Sequence, residues 1–117
     1  MKSNLLEALS DRVLVYDGAM GTQLQAANLA PQDFTLRIDS ALPEAVLAAA
    51  QRLDGRAMDG CNEILNFPRP DVVQSVHEAY FRAGADLVET NTFGATSIVL
   101  AEYDIAELDF ETAKAAA

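Results

Sequence analysis

The sequence predicts an α/β fold built on parallel strands. Val13-Leu14-Val15 is a short apolar, largely β-branched run, the pattern of a buried strand, and Asp17-Gly18 breaks it. Met20, Gln23, Leu24 and Ala27 then fall at helical spacing, so a helix begins just after the break. Asp86 to Asn91, reading DLVETN, repeats the arrangement: an apolar run with polar residues at its end. Strands that alternate with helices imply a parallel sheet with right-handed crossovers.

In chain order, Asn4 to Leu9 reads as a short amphipathic helix, with Leu5, Leu6 and Leu9 on the side that would cover strand 1. Strand 1 is Arg12 to Tyr16, and its helix spans about Met20 to Ala27. Pro31 closes that helix by restricting the residue before it. Thr35 to Ser40 is ambiguous. Pro43 to Leu53 is a helix, with proline in its first turn, a stripe of Val46, Leu47, Ala50 and Leu53, and Asp54-Gly55 as its stop. Gly60 to Pro70 reads as a loop. Val72, Val73, Val76, Ala79, Tyr80 and Ala83 predict a helix from Asp71 to Ala83, ended by Gly84. Strand 2 is Asp86 to Asn91, a short helix follows at Ser97 to Tyr103, and another starts at Asp109.

Composition narrows the partners. Eight basic against eighteen acidic residues give a net charge of −10 over 117 residues, which argues against nucleic acid or an anionic membrane surface. No run approaches the ~18 apolar residues of a membrane helix, and there is no signal-peptide pattern. The single cysteine, Cys61, excludes an internal disulfide and fits a reducing compartment, so the expected location is the cytoplasm.

The chemistry concentrates at the strand ends. In parallel α/β folds, ligands bind at the carboxyl ends of strands. Asp17 there can hold an ammonium group, and the N–H groups around Gly18 to Gly21 can hold an anion. An amino acid carries both charges. The plainer alternative is that Asp17 only caps the following helix. Glu89 and Asn91 share one face of strand 2 and would join Asp17 around a polar ligand, although Glu89 also fits a capping or ion-pair role. Gly18-Ala19-Met20-Gly21 matches neither a dinucleotide fingerprint nor a phosphate loop. Cys61 and His77, each the only one of its kind, cannot complete a metal site, and no catalytic residue is identifiable in the chain.

Three segments carry a resemblance. DGAMGT (Asp17 to Thr22), GCNEILN (Gly60 to Asn66) and AGADLVETNTFGAT (Ala83 to Thr96) resemble, in that order, the start of the homocysteine-binding domain of the homocysteine S-methyltransferases, cobalamin-dependent methionine synthases in particular. The resemblance implies a (β/α)₈ TIM barrel, of which this chain would supply the N-terminal fragment, about the first two parallel strands with flanking helices. An inserted helical segment at about 35–57 departs from the family pattern and includes the helix Pro43 to Leu53.

The resemblance also implies a chemistry. The family holds homocysteine as a thiolate on zinc, because the thiolate is the nucleophile and a Lewis acid favours deprotonation. The thiolate takes a methyl group and becomes methionine. In methionine synthases, cobalamin and methyltetrahydrofolate supply that group through other modules; betaine or another methyl compound does so elsewhere in the family. Asp17 would bind the substrate ammonium, backbone groups at Gly18, Ala19 and Met20 its carboxylate, and Glu89 and Asn91 would line the pocket. The zinc-binding cysteines of the family match no position here, so this chain alone is expected to be inactive and to depend on the remainder of its parent enzyme. The competing reading is a non-catalytic α/β fragment that acts only by associating with another chain through unpaired strand edges.

Overall fold

The computed structural model describes residues 4–117. Helix α1 (Leu5–Asp11) is capped by Asn4, whose side chain accepts the Leu6 N–H at 3.0 Å. Helix α2 (Gly21–Ala26) starts after Met20, and a 3₁₀ turn follows at Pro31–Phe34. Helix α3 (Glu44–Leu53) begins at Pro43 and stops at Asp54, which is left-handed at φ 47°. A second 3₁₀ turn, Asn62–Asn66, leads into α4 (Pro70–Arg82), which ends before Gly84 at φ 108°. Helix α5 (Ser97–Leu100) runs into 3₁₀ turns at Ala101–Tyr103 and Ala106–Leu108, and α6 spans Asp109–Ala116.

The core lies on the C-terminal side of the chain. No described residue before Leu24 is buried. Val46, Ala49 and Ala50 of α3 and Val72, Val73 and Val76 of α4 turn their apolar stripes inward. Ile64, Leu65, Leu100, Ile105 and Leu108 are fully enclosed between them. Burying one such side chain stabilises by about 1.5–3 kcal/mol, so this cluster holds the molecule together. Ion pairs from Arg52 to Glu107 (2.6 Å) and from Arg56 to Asp104 (3.0 Å) fasten the end of α3 to the segment before α6. The inserted segment thus belongs to the core through α3.

The expected parallel strands are not formed, so the chain is not a barrel fragment built on a parallel sheet. The described residues contain no strand; Tyr16 and Leu87 make one isolated parallel bridge, through Leu87 N–H to the Val15 carbonyl (3.3 Å) and Asp17 N–H to the Leu87 carbonyl (3.0 Å). Side chains take the bonds that would extend it. A continued parallel ladder would send the Val15 N–H to the Ala85 carbonyl and the Glu89 N–H to the Asp17 carbonyl. Instead the Val15 N–H donates to the Asp86 carboxylate at 2.9 Å, and the Glu89 N–H to the Asp17 carboxylate at 3.1 Å. The apolar run is also not buried: Val13 is 87% exposed and Val15 55%. Leu5, Leu6 and Leu9 are likewise exposed and cover nothing. With residues 4–16 outside the core, the molecule measures 51 × 27 × 26 Å, and its radius of gyration of 15.8 Å exceeds the ~13 Å of a compact chain of this length.

Candidate functional site

Three segments meet around a cleft of about 700 Å³. Asp17 to Gly21 form one wall, Asn62 and Glu63 the second, and Glu89 to Phe93 the third. All the residues expected to bind substrate line it: Asp17, Gly18, Ala19, Met20, Glu89 and Asn91. The lone bridge between Tyr16 and Leu87 positions the first and third walls, because the first segment reaches the cleft at Asp17, one residue after the bridge, and the third at Glu89, two residues after it.

Asp17 is half-buried, and its Oδ2 accepts the Glu89 N–H at 3.1 Å, so it ties the two walls together and is not a side-chain cap of α2. Among the described residues, the N–H groups of Gly18, Ala19 and Met20 donate to no partner. Glu89 is exposed. Asn91 is 4% exposed, and both hydrogens of its amide are used: Nδ2 donates to the Asn62 carbonyl at 2.8 Å and to Asn66 Oδ1 at 3.0 Å. What Asn91 can offer a ligand is therefore its oxygen.

Buried polar contacts hold the second wall. Asn66 Nδ2 returns a bond to the Asn91 carbonyl at 3.0 Å and reaches the Thr112 carbonyl of α6 at 3.2 Å. This network of satisfied amides fixes the third wall onto the 3₁₀ turn and α6. Glu63 is 9% exposed, and its Oε1 accepts the Gly94 N–H at 2.8 Å. A Cβ at position 94 would lie 2.9 Å from that oxygen, so only glycine fits so close to the carboxylate.

Sequence reasoning missed Asn62 and Glu63 as lining residues and Asn66 as the anchor of Asn91. Their segment, GCNEILN, shows no helical or strand period because it forms a single 3₁₀ turn with buried polar side chains. The available signal was the motif itself, an acid and two amides in a run with buried Ile64 and Leu65.

Asp17, Glu63 and Glu89 bring carboxylates to the cleft, and among the described residues no lysine, arginine or histidine lines it. The cleft therefore favours a cationic group, while the free N–H groups of the Gly18 turn provide for an anionic one.

The residues do not fit a zinc ion. Among the described residues no group of three or more His, Cys, Asp or Glu side chains is placed to hold a metal. Cys61 is 1% exposed, and burial pushes its thiol up to about 11, far from the thiolate a metal needs. His77 is half-buried, and among the described residues its Nδ1 has no hydrogen-bond partner. No described helix is long and apolar enough to cross a membrane.

Comparison with known proteins agrees with the motifs. Residues 14–117 match the family profile described as homocysteine S-methyltransferase. The methionine synthase of Mycobacterium tuberculosis (strain ATCC 25618 / H37Rv) is 50% identical over 105 residues, which is 90% of this chain and 7% of that protein. The methionine synthase of Mycobacterium leprae (strain TN) is likewise 50% identical over 105 residues, with the same coverage. The chain thus spans about 7% of the length of the curated relatives it matches.

Proposed function

The chain belongs to the homocysteine S-methyltransferase family, and from that premise we propose that its cleft binds the amino-acid end of homocysteine for methyl transfer to sulfur, giving methionine. One observation carries the reading: the Asp17 carboxylate stands at one cleft with the N–H groups of Gly18, Ala19 and Met20, which among the described residues have no partner, and no described basic side chain lines it. Asp17 receives the ammonium group. The Gly18 to Met20 turn receives the carboxylate. Glu89 adds negative charge on the ammonium side, and Asn91 holds the wall through its amide and presents its oxygen.

Residues 1–117 act in this reading as part of a homocysteine-binding domain of the methionine synthase type, with the helical segment at about 35–57 as an addition to it. For the whole enzyme, zinc serves the thiol, and cobalamin with methyltetrahydrofolate supplies the methyl group. The described residues offer no ligand set for zinc, so the part of this chain is binding and orientation, and alone it is expected to bind without turnover. Its partners are homocysteine and the other parts of its parent enzyme. The cytoplasm is the proposed location, in keeping with a single, reduced cysteine.

The test is a titration with homocysteine and with 4-mercaptobutanoate, which lacks the amino group. Wild type should prefer homocysteine, and Asp17→Asn should lose that preference. Equal affinity of wild type for the two thiols would overturn the ammonium role.

Exposed apolar residues support a second reading, association with another chain: Val13, Ile98 and Phe93 are 87%, 83% and 102% exposed. Light scattering that shows a monodisperse monomer across the micromolar range would remove it.

A further inference from the structure

The Ala19 carbonyl does not face the ligand. It accepts a hydrogen bond from the Tyr80 hydroxyl at 2.7 Å. Tyr80 stands on α4, packs against the hydrophobic core, and is not among the residues that line the cleft. It therefore grips the turn from behind. In a planar trans peptide, the carbonyl and the next N–H point in opposite directions. Holding the Ala19 oxygen toward Tyr80, which does not line the cleft, aims the Met20 N–H away from Tyr80, and Met20 itself borders the cleft. Without that bond, the Ala19–Met20 peptide is free to rotate, and its carbonyl could face an anionic ligand instead.

Gly18 supports the same arrangement. A Cβ at position 18 would lie 3.1 Å from the Tyr80 hydroxyl oxygen and 3.4 Å from its ring. The turn thus packs directly on the tyrosine, and a larger residue would push the hydroxyl out of line with the Ala19 carbonyl.

We infer that Tyr80 is a positioning residue that sets the polarity of the Gly18 to Met20 turn and so makes it selective for the ligand's carboxylate. The inference rests on the homocysteine reading above and goes beyond it by naming the residue on which carboxylate recognition depends.

The experiment compares two thiols by calorimetry on the full chain: homocysteine, and 3-aminopropane-1-thiol, which lacks only the carboxylate. Wild type should bind homocysteine more tightly. Tyr80→Phe keeps the ring and loses the hydroxyl. It should weaken homocysteine binding about fivefold, the scale of one neutral hydrogen bond, and leave the amine thiol unchanged. Gly18→Ala should produce the same selective loss and carries the test if Tyr80→Phe melts early. Homocysteine affinity unchanged in both variants, or an equal loss for both thiols, would overturn the inference. Equal binding of the two thiols to wild type would also overturn it and leave ammonium recognition standing. Binding of neither thiol to wild type would defeat the homocysteine reading, and the inference with it.

Discussion

The Asp17 carboxylate accepts the Glu89 N–H at 3.1 Å, across 72 positions of sequence. It joins the two segments whose ends form the cleft, and it does so with one oxygen, which leaves the other for a ligand. Structural and binding roles therefore meet in one side chain, and substitutions can separate them.

Asp17→Asn retains an oxygen that can accept the Glu89 N–H but removes the charge. Homocysteine affinity is expected to fall ten- to a hundredfold, because a hydrogen bond to a charged group contributes about 1.5–3 kcal/mol. Melting should change little. Asp17→Ala removes the clamp as well and should lower both affinity and melting temperature. Unchanged homocysteine affinity in a folded Asp17→Asn chain would end the ammonium role.

Acid should weaken the link between the N-terminal segment and the Asp86 region. Arg12 pairs with Asp86 through two bonds of 2.7 and 3.0 Å. That guanidinium, with the Val15 N–H, holds the Asp86 carboxyl down to about 2. An unfolded aspartate titrates near ~3.9, so the unfolded chain takes up its proton first as pH falls. The contribution is complete above about pH 4 and is lost as pH drops through about 2. Asp86→Asn should flatten the melting temperature across that window; an acid limb as steep as that of wild type would show that Asp86 is not its source. Asp33 and Asp71, both lowered chiefly through bonds to the Ala30 N–H and to Arg69, should leave a residual slope.

What the sequence made legible were the elements whose signals are local. Helices α3 and α4 follow from apolar periodicity, a proline at the start and a left-handed stop at Asp54 or Gly84. The cleft residues were also legible, because the DGAMGT and ETNTF segments carry them as contiguous motifs. The strands were not, because a strand requires partners as well as an apolar run. Val13 to Val15 has the composition of a buried strand, yet the Val15 N–H goes to the Asp86 side chain instead of a neighbouring backbone, and the surface of Val13 and Val15 stays open. Asp86 and Asp17, read as strand-end residues, are the side chains that interrupt the ladder.

Cys61 should be inert in the native chain. It is enclosed in the core, and burial raises its thiol to about 11, so almost no thiolate exists at pH 8. Iodoacetamide at pH 8 is expected to modify it only at the rate of unfolding, and rapidly once denaturant is added. Fast labelling of the folded chain would contradict the enclosed position.

Thr112 offers the clearest route to a more stable protein. It is fully buried on α6, and its hydroxyl has no hydrogen-bond partner, while its backbone carbonyl accepts the Asn66 amide that supports the cleft. A buried hydroxyl left without a partner costs about 1–3 kcal/mol. Valine has nearly the same shape and similar helix propensity, and it leaves the carbonyl in place. Thr112→Val should therefore stabilise the chain by about 1 kcal/mol, a rise of roughly 4–8 °C in a domain of this size. Thr112→Ser keeps the hydroxyl and removes the methyl group, so it should destabilise by about 1 kcal/mol through the cavity it leaves. Because the Asn66 bond goes to the backbone, homocysteine binding should be the same in Thr112→Val as in wild type. A lower melting temperature for the valine variant would mean that the hydroxyl is satisfied in solution, and that the buried network around Asn66 extends through it.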